Sequence, residues 1–391
     1  MTADATPETT SRIYLDNNAT TRPFPEVLEV MAEHFSSAYA NPGSSHAAGR
    51  AARRVLEDSR EQLAAMLGAK PQEVTFTSGG TESSNLALFG LCQGTPGKIA
   101  LTAGEHPATV QACVQLEQHG WQQFTLPVDA QGRLITADLD GLPWDDLKLV
   151  TIILAHNETG VIQDIEPLAT RCHERQIPFH LDAVQAVGKI PVDFHQLGVT
   201  TLALGAHKFH GPRGIGALLV REGTRLAPYL FGGHQETGRR PGTEPVALIA
   251  GMTRALSIWH AQAAQHMSRV GQLRDQLESG LLAACESAVV HGREATRLPN
   301  TLNIAFPGLA GEALLVALDL EGVACSLGST CASGSAEPAP VLVAMGCPQE
   351  VANASVRFSL SPDNTAAEIQ DATTRIATVV NRLRGGNPIG S

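Results

Sequence analysis

Two short stretches concentrate the residues best able to do covalent chemistry: H-L-D-A-V-Q at 180–185 and A-L-G-A-H-K-F-H-G-P-R-G-I-G-A-L at 203–218. Each follows or closes an apolar run that reads as a β-strand. Taken singly, Lys208 is the kind of lysine found in solvated loops, and Asp182 the kind of aspartate that caps a turn. Facing each other at the carboxyl edge of neighbouring strands, they suit one cofactor. The lysine forms an imine with an aldehyde, and the aspartate pairs with a protonated pyridine nitrogen, which makes the ring an electron sink. That cofactor is pyridoxal 5'-phosphate. The Gly-Pro-Arg-Gly-Ile-Gly run after Lys208 lets backbone pass close to it.

Other segments bear on the same chemistry. V-T-F-T-S-G-G-T-E-S-S-N at 74–85 reads as strand, glycine turn and helix start. Amides of Ser78, Gly79 and Gly80, capped by Thr81, form a phosphate cradle, although the same letters describe an ordinary capped βα turn. The absence of a Walker lysine disfavours a nucleoside triphosphate. His106, in Glu105-His106-Pro107 at the end of a strand, is either a ring-stacking proton carrier or a loop histidine without a role. Cys331, in G-S-T-C-A-S-G-S-A-E-P at 328–338, sits among Gly, Ser and Thr, the composition of an exposed mobile loop, and is a candidate nucleophile. Cys113, Cys285 and Cys325 have apolar neighbours and read as packed. Arg357, in the alternating S-V-R-F-S-L, either forks onto a carboxylate or forms a surface ion pair.

The elements that must position these residues are legible as short apolar runs alternating with helix-like stretches. Candidate strands are Val74–Thr77, Lys98–Thr102, 149–155, Phe179–Asp182, 201–204 and 217–220. The expected fold is α/β with a mostly parallel sheet, whose strand carboxyl ends form the ligand edge. The character changes after about residue 250, where 257–284 reads as one long amphipathic helix leading to a smaller α+β domain. The expected division is a large domain over 16–262, a small one over 1–15 and 263–385 carrying the Cys331 loop, and a frayed tail over 386–391.

At 391 residues, 43% hydrophobic and 17% charged, the chain is long and apolar enough for a large buried core. Its net charge of -11, without a long Lys/Arg run, argues against nucleic-acid or anionic-membrane partners. Seven cysteines, an odd number without a C-x-x-C pair, argue against a disulfide framework and against a thiol-rich metal site, so no metal is expected. The opening MTADATPETTS is polar and acidic, unlike a signal peptide, and no apolar run approaches the roughly 18–20 residues of a membrane span. A soluble cytoplasmic protein is expected.

Taken in order, Y-L-D-N-N-A-T-T, N-P-G-S-S-H, F-T-S-G-G-T-E-S-S-N, N-E-T-G-V-I-Q-D-I, H-L-D-A-V-Q, H-K-F-H-G-P-R-G-I-G and R-P-G-T-E-P resemble the cysteine desulfurases. These are fold-type I pyridoxal-phosphate enzymes of aminotransferase class V, and the likeness runs from Tyr14 to about Leu383. The cysteine loop is similar to that of the branch supplying iron–sulfur assembly. The resemblance implies that Lys208 carries the imine, Asp182 pairs with the pyridine nitrogen, and His106 stacks on the ring and moves protons. It places Gln185 and Asn157 at the phenolic oxygen. Thr81, the Gly80 amide and His207 take the phosphate, and Thr243 reaches the phosphate of a partner subunit in a homodimer. Asn41, Asn157 and Arg357 would bind the carboxylate of L-cysteine. Cys331 would accept its sulfur as a persulfide, leaving L-alanine, with delivery to an acceptor protein or small thiol. A selenocysteine lyase and a small-substrate aminotransferase of the same class are the alternatives. This sequence departs from the family pattern at Gly205, where a serine usually donates to the phosphate, and at Leu327 and Thr330 in the cysteine loop. It also ends soon after its last expected helix, without the longer tail by which some relatives dock a scaffold.

Overall fold

A computed structural model describes residues 12–137, 139–327 and 337–385. The chain opens with β1 (Ile13–Tyr14), α1 (Pro25–Ser37) and α2 (Ala47–Met66). Strands and helices then alternate through β2 (Val74–Thr77), α3 (Gly80–Leu91), β3 (Lys98–Thr102), α4 (Pro107–Glu117), β4 (Gln122–Leu126), β5 (Leu147–Ile153), α5 (Glu166–Glu174), β6 (Phe179–Asp182), β7 (Thr201–Gly205) and β8 (Gly216–Val220). Strands β2 to β8 make one seven-stranded sheet, ordered β2-β8-β7-β6-β5-β3-β4. All its strands run parallel except β8, which is antiparallel to both neighbours. The cause is burial: β2, β6, β7 and β8 are buried at every position. A strand covered on both faces carries a near-continuous apolar run, as β7 (T-L-A-L-G) and β8 (G-A-L-L-V) do, whereas β2 (V-T-F-T) and β6 (F-H-L-D) bury alternating polar residues as well.

The parallel strands therefore deliver their carboxyl ends to one edge. Thr77 leads into the glycine turn, Thr102 into Glu105 and His106, Ile153 into His156 and Asn157, Asp182 into Gln185, and Gly205 into His207 and Lys208. Asp182 and Lys208 lie on neighbouring strands, with Asp182 opposite Ala203.

The remaining elements are α6 (Val246–Ala261), α7 (Ala263–Ala284), β9 (Val289–Val290), β10 (Thr301–Ala305), α8 (Gly311–Leu320), β11 (Val323–Ala324), β12 (Ser326–Leu327), α9 (Pro340–Ala344), α10 (Gln349–Asn353), β13 (Ser355–Ser359) and α11 (Ala366–Gly385). They include an antiparallel sheet ordered β12-β13-β10-β9, and β1 returns to pair with β11. The single helix expected over 257–284 is not formed. Gln262, at φ -128 and ψ 19, separates α6 from α7. Periodicity continues through it, but α6 packs on α1 and α2 whereas α7 packs on α11, so the chain has to change direction there.

Two large apolar clusters follow from this arrangement. One surrounds the seven-stranded sheet with Leu56, Phe76, Ile152, Phe179 and Phe209. The other joins Ile13 and Leu15 to Leu277, Ile304, Phe358 and Ile376. Among the described residues no helix is long and apolar enough to cross a membrane.

Candidate functional site

Lys208 closes the 3₁₀ turn that follows β7. Its Nζ donates to the carbonyl oxygens of Asn18 at 2.6 Å and Ala19 at 3.0 Å. Burial and the nearby Arg357 cation push its pKa down to about 8, against the opposing pull of Asp182, Asp16 and Glu158. A lysine so perturbed presents a substantial neutral fraction at physiological pH and is a competent nucleophile. Asp182, 4% exposed, accepts from the Val184 amide at 3.0 Å. Burial raises its pKa, while His106, the Val184 amide and Lys208 pull the other way.

His106 is held by local sequence. It is the N-cap of α4, Pro107 occupies the first helical turn, and its Nδ1 accepts from the Ala108 amide at 3.1 Å. The proton of the neutral ring therefore sits on Nε2, and burial keeps the pKa below the ordinary histidine value. His156 braces this loop from β5. Its Nε2 donates to the Gly104 carbonyl at 2.7 Å, and its Nδ1 accepts from the Glu158 amide. A side chain at Gly104 would meet His156 Nε2 at 2.8 Å, so the glycine admits the brace.

The glycine turn places the start of α3 beside the β6–β7 edge. A Cβ on Gly80 would lie 2.4 Å from Val184 Cγ2, so only glycine allows this approach. Thr81 is exposed in the first turn of α3, beside the positive helix end, whereas the Ser78 amide expected in the cradle is already taken, donating to Glu82 Oε2 at 2.7 Å. His207 faces the same region. Burial and Lys208 push its pKa down to about 4, which leaves a neutral ring. Gly205 has an ordinary extended backbone, φ -139 and ψ 124, so glycine is not needed there for conformation. A Cβ on it would lie 3.3 Å from the Gly80 nitrogen.

Arg357, on β13, reaches the cluster from the second sheet. It is 6% exposed and is not a surface ion pair: it meets Asp16 at 3.0 Å and Glu158 at 2.8 Å, and it donates to the Asn157 carbonyl at 3.2 Å. Glu158 Oε1 also accepts from Asn157 Nδ2 at 2.7 Å. One carboxylate oxygen thus occupies two donors expected to hold a substrate carboxylate.

The sequence and the fold are those of a family. The class-V aminotransferase model matches residues 13–371. A cysteine desulfurase of Trichormus azollae is 44% identical over 382 residues, covering 97% of this chain and 95% of that protein. The cysteine desulfurase NifS of Azotobacter vinelandii is 42% identical, with 97% and 95% coverage. The solved structure of a NifS-like protein superposes with a TM-score of 0.89 at 34% identity, covering 95% of this chain and 100% of that one. SspA in complex with cysteine gives 0.78 at 31% identity, covering 90% and 99%. The chain belongs to the class-V aminotransferase family, in its cysteine desulfurase branch.

Within this family member, the geometry brings together Lys208, Asp182, His106, Gln185, Asn157, His207, Gly80, Thr81 and Arg357. It does not bring in Asn41, which is exposed and whose Oδ1 accepts from the Gly43 amide at 2.8 Å. Thr243 is exposed in the loop before α6, and no described contact joins it to the cluster. Cys331 lies outside the described residues; β12, which ends at Leu327 shortly before it, pairs Ser326 with Arg357. Cys325 is packed as expected, its thiol pushed up to about 12 by burial. Cys113 and Cys285 are buried and free.

Several residues of the site escape sequence reasoning. Asn18 is the hub. Its carbonyl accepts from Lys208 and Gln185, its Oδ1 from Lys189 and Asn300, and its Nδ2 donates to the Asn157 carbonyl and Thr301. Glu105 is buried with a pKa raised to about 8, Oε1 accepting from Thr102 and from the Ile153 amide. Asp16 and Asn18 stand in Y-L-D-N-N-A-T-T and Glu158 in N-E-T-G, but only position in a motif marked them. Their partners lie more than a hundred residues away in the chain.

Proposed function

We propose that the chain is a pyridoxal-phosphate-dependent cysteine desulfurase that converts L-cysteine to L-alanine and holds the released sulfur on Cys331. The observation that carries this reading is Lys208 beside Asp182 at the carboxyl ends of two adjacent parallel strands, with His106, Gln185 and Arg357 around them. The residues fit the cofactor. Lys208 offers an amine of lowered pKa, and Asp182 is a buried acid whose pKa burial raises and which makes no salt bridge among the described residues, so a protonated pyridine nitrogen would give it a partner. The Gly79–Gly80 turn gives a cradle of amides for the phosphate, with Thr81 and His207 beside it. When bound, the cofactor supplies an electron sink conjugated to the substrate Cα.

The side chains account for the remaining steps. Arg357 and Asn157 take the substrate carboxylate, in competition with Glu158. Lys208 Nζ, an amine of lowered pKa, would take the substrate Cα proton and later return it. The Cys331 thiolate bonds to the substrate sulfur as the Cβ–S bond breaks. That electron pair stays with the carbon skeleton, which gains one proton at Cβ, recovers one at Cα and leaves as alanine. His106, neutral with its proton on Nε2, serves proton transfer near the ring.

We also assign the large unit to 16–262 and the small one to 1–15 with 263–385, supported by the two apolar clusters. The acceptor is a protein or small thiol, in iron–sulfur or other sulfur-cofactor assembly. The cytoplasm fits the unpaired described cysteines and net charge of -11. The test is incubation with L-cysteine, quantifying alanine and sulfide together, for the parent and Cys331→Ser. The parent is expected to give equal amounts in the presence of a reducing thiol, with added mass on Cys331 after one turnover. Cys331→Ser is expected to stay yellow and release no sulfide. Sulfur found on Cys325 alone, or full turnover by Cys331→Ser, rejects this assignment.

A further inference from the structure

Lys189 is a buried amine that the proposed chemistry leaves unused. It lies one turn beyond Gln185 and is 8% exposed. Its Nζ donates to Asn18 Oδ1 at 2.7 Å and to Gln185 Oε1. Burial, together with the Lys208 and Arg357 cations, pushes its pKa well below the ordinary lysine range. Even a neutral amine keeps two N–H groups, one for each of these oxygens.

The two contacts have a geometric consequence. An amide that meets a lysine donor must present its oxygen, so the Gln185 nitrogen is turned the other way. There Nε2 donates to the Asn18 carbonyl at 2.9 Å, the same oxygen that accepts from Lys208 Nζ at 2.6 Å. One of the two Gln185 N–H groups is thereby used on the oxygen that also holds the reactive lysine, and no described residue accepts from the second. Asn18 is set in the same way, with its Nδ2 sent toward the Asn157 carbonyl and Thr301. Lys189 thus orients two amides that border the Lys208 amine, without touching the reacting atoms.

We infer that Lys189 is a positioning residue that locks the Gln185 amide as a donor to the phenolic oxygen of the cofactor. The inference rests on the cofactor reading above. Without Lys189, Gln185 Oε1 is a buried acceptor with no partner, a costly state that drives the amide out of this orientation. A donor on the phenolic oxygen competes with the proton shared between that oxygen and the Lys208 nitrogen. Losing the donor lets that proton be held more tightly.

The experiment is a pH titration of the visible absorption band of the loaded protein. Lys189→Met keeps the length of the side chain and removes the donor. Its midpoint is expected to rise by about half to one pH unit, a part of what one hydrogen bond to a charged group supplies. Gln185→Ala is expected to shift in the same direction, and the double variant no further than the larger single shift. An unchanged midpoint in Lys189→Met, beside a shifted one in Gln185→Ala, overturns the inference. A parent protein with no titrating visible band overturns the cofactor reading instead. Lys189→Leu also removes the donor and stands in if Lys189→Met does not fold. It is expected to shift upward as Lys189→Met does, and a downward shift or none overturns the inference.

Discussion

At the scale of single residues, the reactivity of Lys208 is set by its surroundings rather than by its type. Burial and Arg357 bring its pKa to about 8, and the amine attacks an aldehyde only when neutral. Uptake of added pyridoxal phosphate by cofactor-free protein is therefore expected to quicken as pH rises and to level off above about 8. Absorbance stopped-flow checks this, and Lys208→Ala is expected to form no covalent link at any pH. Gly205 is the other residue whose consequence is local. Its extended backbone tolerates a side chain, so a serine there can restore the hydroxyl that the family usually directs at the phosphate. Its Cβ would press on the Gly80 nitrogen at 3.3 Å, and Gly80 heads a helix that cannot recede freely because Val184 lies behind it. Gly205→Ser is expected to slow cofactor loss after treatment with hydroxylamine, by less than the roughly tenfold that a full hydrogen bond to a charged group gives. Loss at the parent rate or faster would show that crowding cancels the added contact.

At the scale of elements, the loop before α6 is anchored by a buried ion pair. Glu236 meets Arg60 of α2 at 2.7 Å and accepts from the Phe76 amide of β2 at 2.8 Å, while Arg240 pairs with Glu82 of α3 at 2.8 Å. Glu236 and Thr237 hold left-handed φ values of 49° and 56°, which non-glycine residues keep only where contacts over-determine them. Removing Glu236 leaves the buried Arg60 with only the half-buried Glu57, at 3.0 Å, as countercharge, and leaves the Phe76 amide without its acceptor. Glu236→Ala is expected to lose about 3–5 kcal/mol of stability in urea unfolding. A loss under about 1 kcal/mol would mean that the pair is replaceable by solvent. The same loop carries Thr243, so weakened cofactor retention in that variant would connect the anchor with the proposed phosphate contact.

At the scale of the whole molecule, several large apolar side chains stand exposed. Phe35 and Tyr39 lie on and just after α1, and Tyr229, Leu230 and Phe231 lie in the loop after β8. Clustered exposed apolar side chains, such as the consecutive Tyr229, Leu230 and Phe231, are characteristic of association surfaces. They are consistent with the homodimer that the family resemblance implies, in which Thr243 would complete the site of the partner subunit. Sedimentation at assay concentration is expected to give twice the chain mass. Phe231→Glu is expected to dissociate the dimer and to lower cofactor retention together, and a fully active monomer would reject the arrangement. Asn18 adds a second connection at this scale. It ties residues of the first apolar cluster's sheet, through Lys208 and Gln185, to Thr301 and Asn300 beside the second cluster.

Six of the seven strands of the main sheet, their mostly parallel run and the edge carrying Lys208, Asp182 and His106 were legible in the sequence, because buried strands and the turns after them carry local marks; β4 (Q-Q-F-T-L), largely uncovered at the end of the sheet, was not. The family likeness supplied Gln185, Arg357 and Asn157. Three features depended on distant segments meeting. The break at Gln262 has no mark in a continuous helical period and arises because α6 and α7 bury against different partners. Arg357 reads as equally fit for surface or site until β13 is placed beside Asp16 and Glu158. Asn18, Lys189 and Glu105 carry no chemical signature of their own in the chain. Burial alone, which removes water and leaves each polar atom to find a protein partner, turns them into the frame around the reactive lysine.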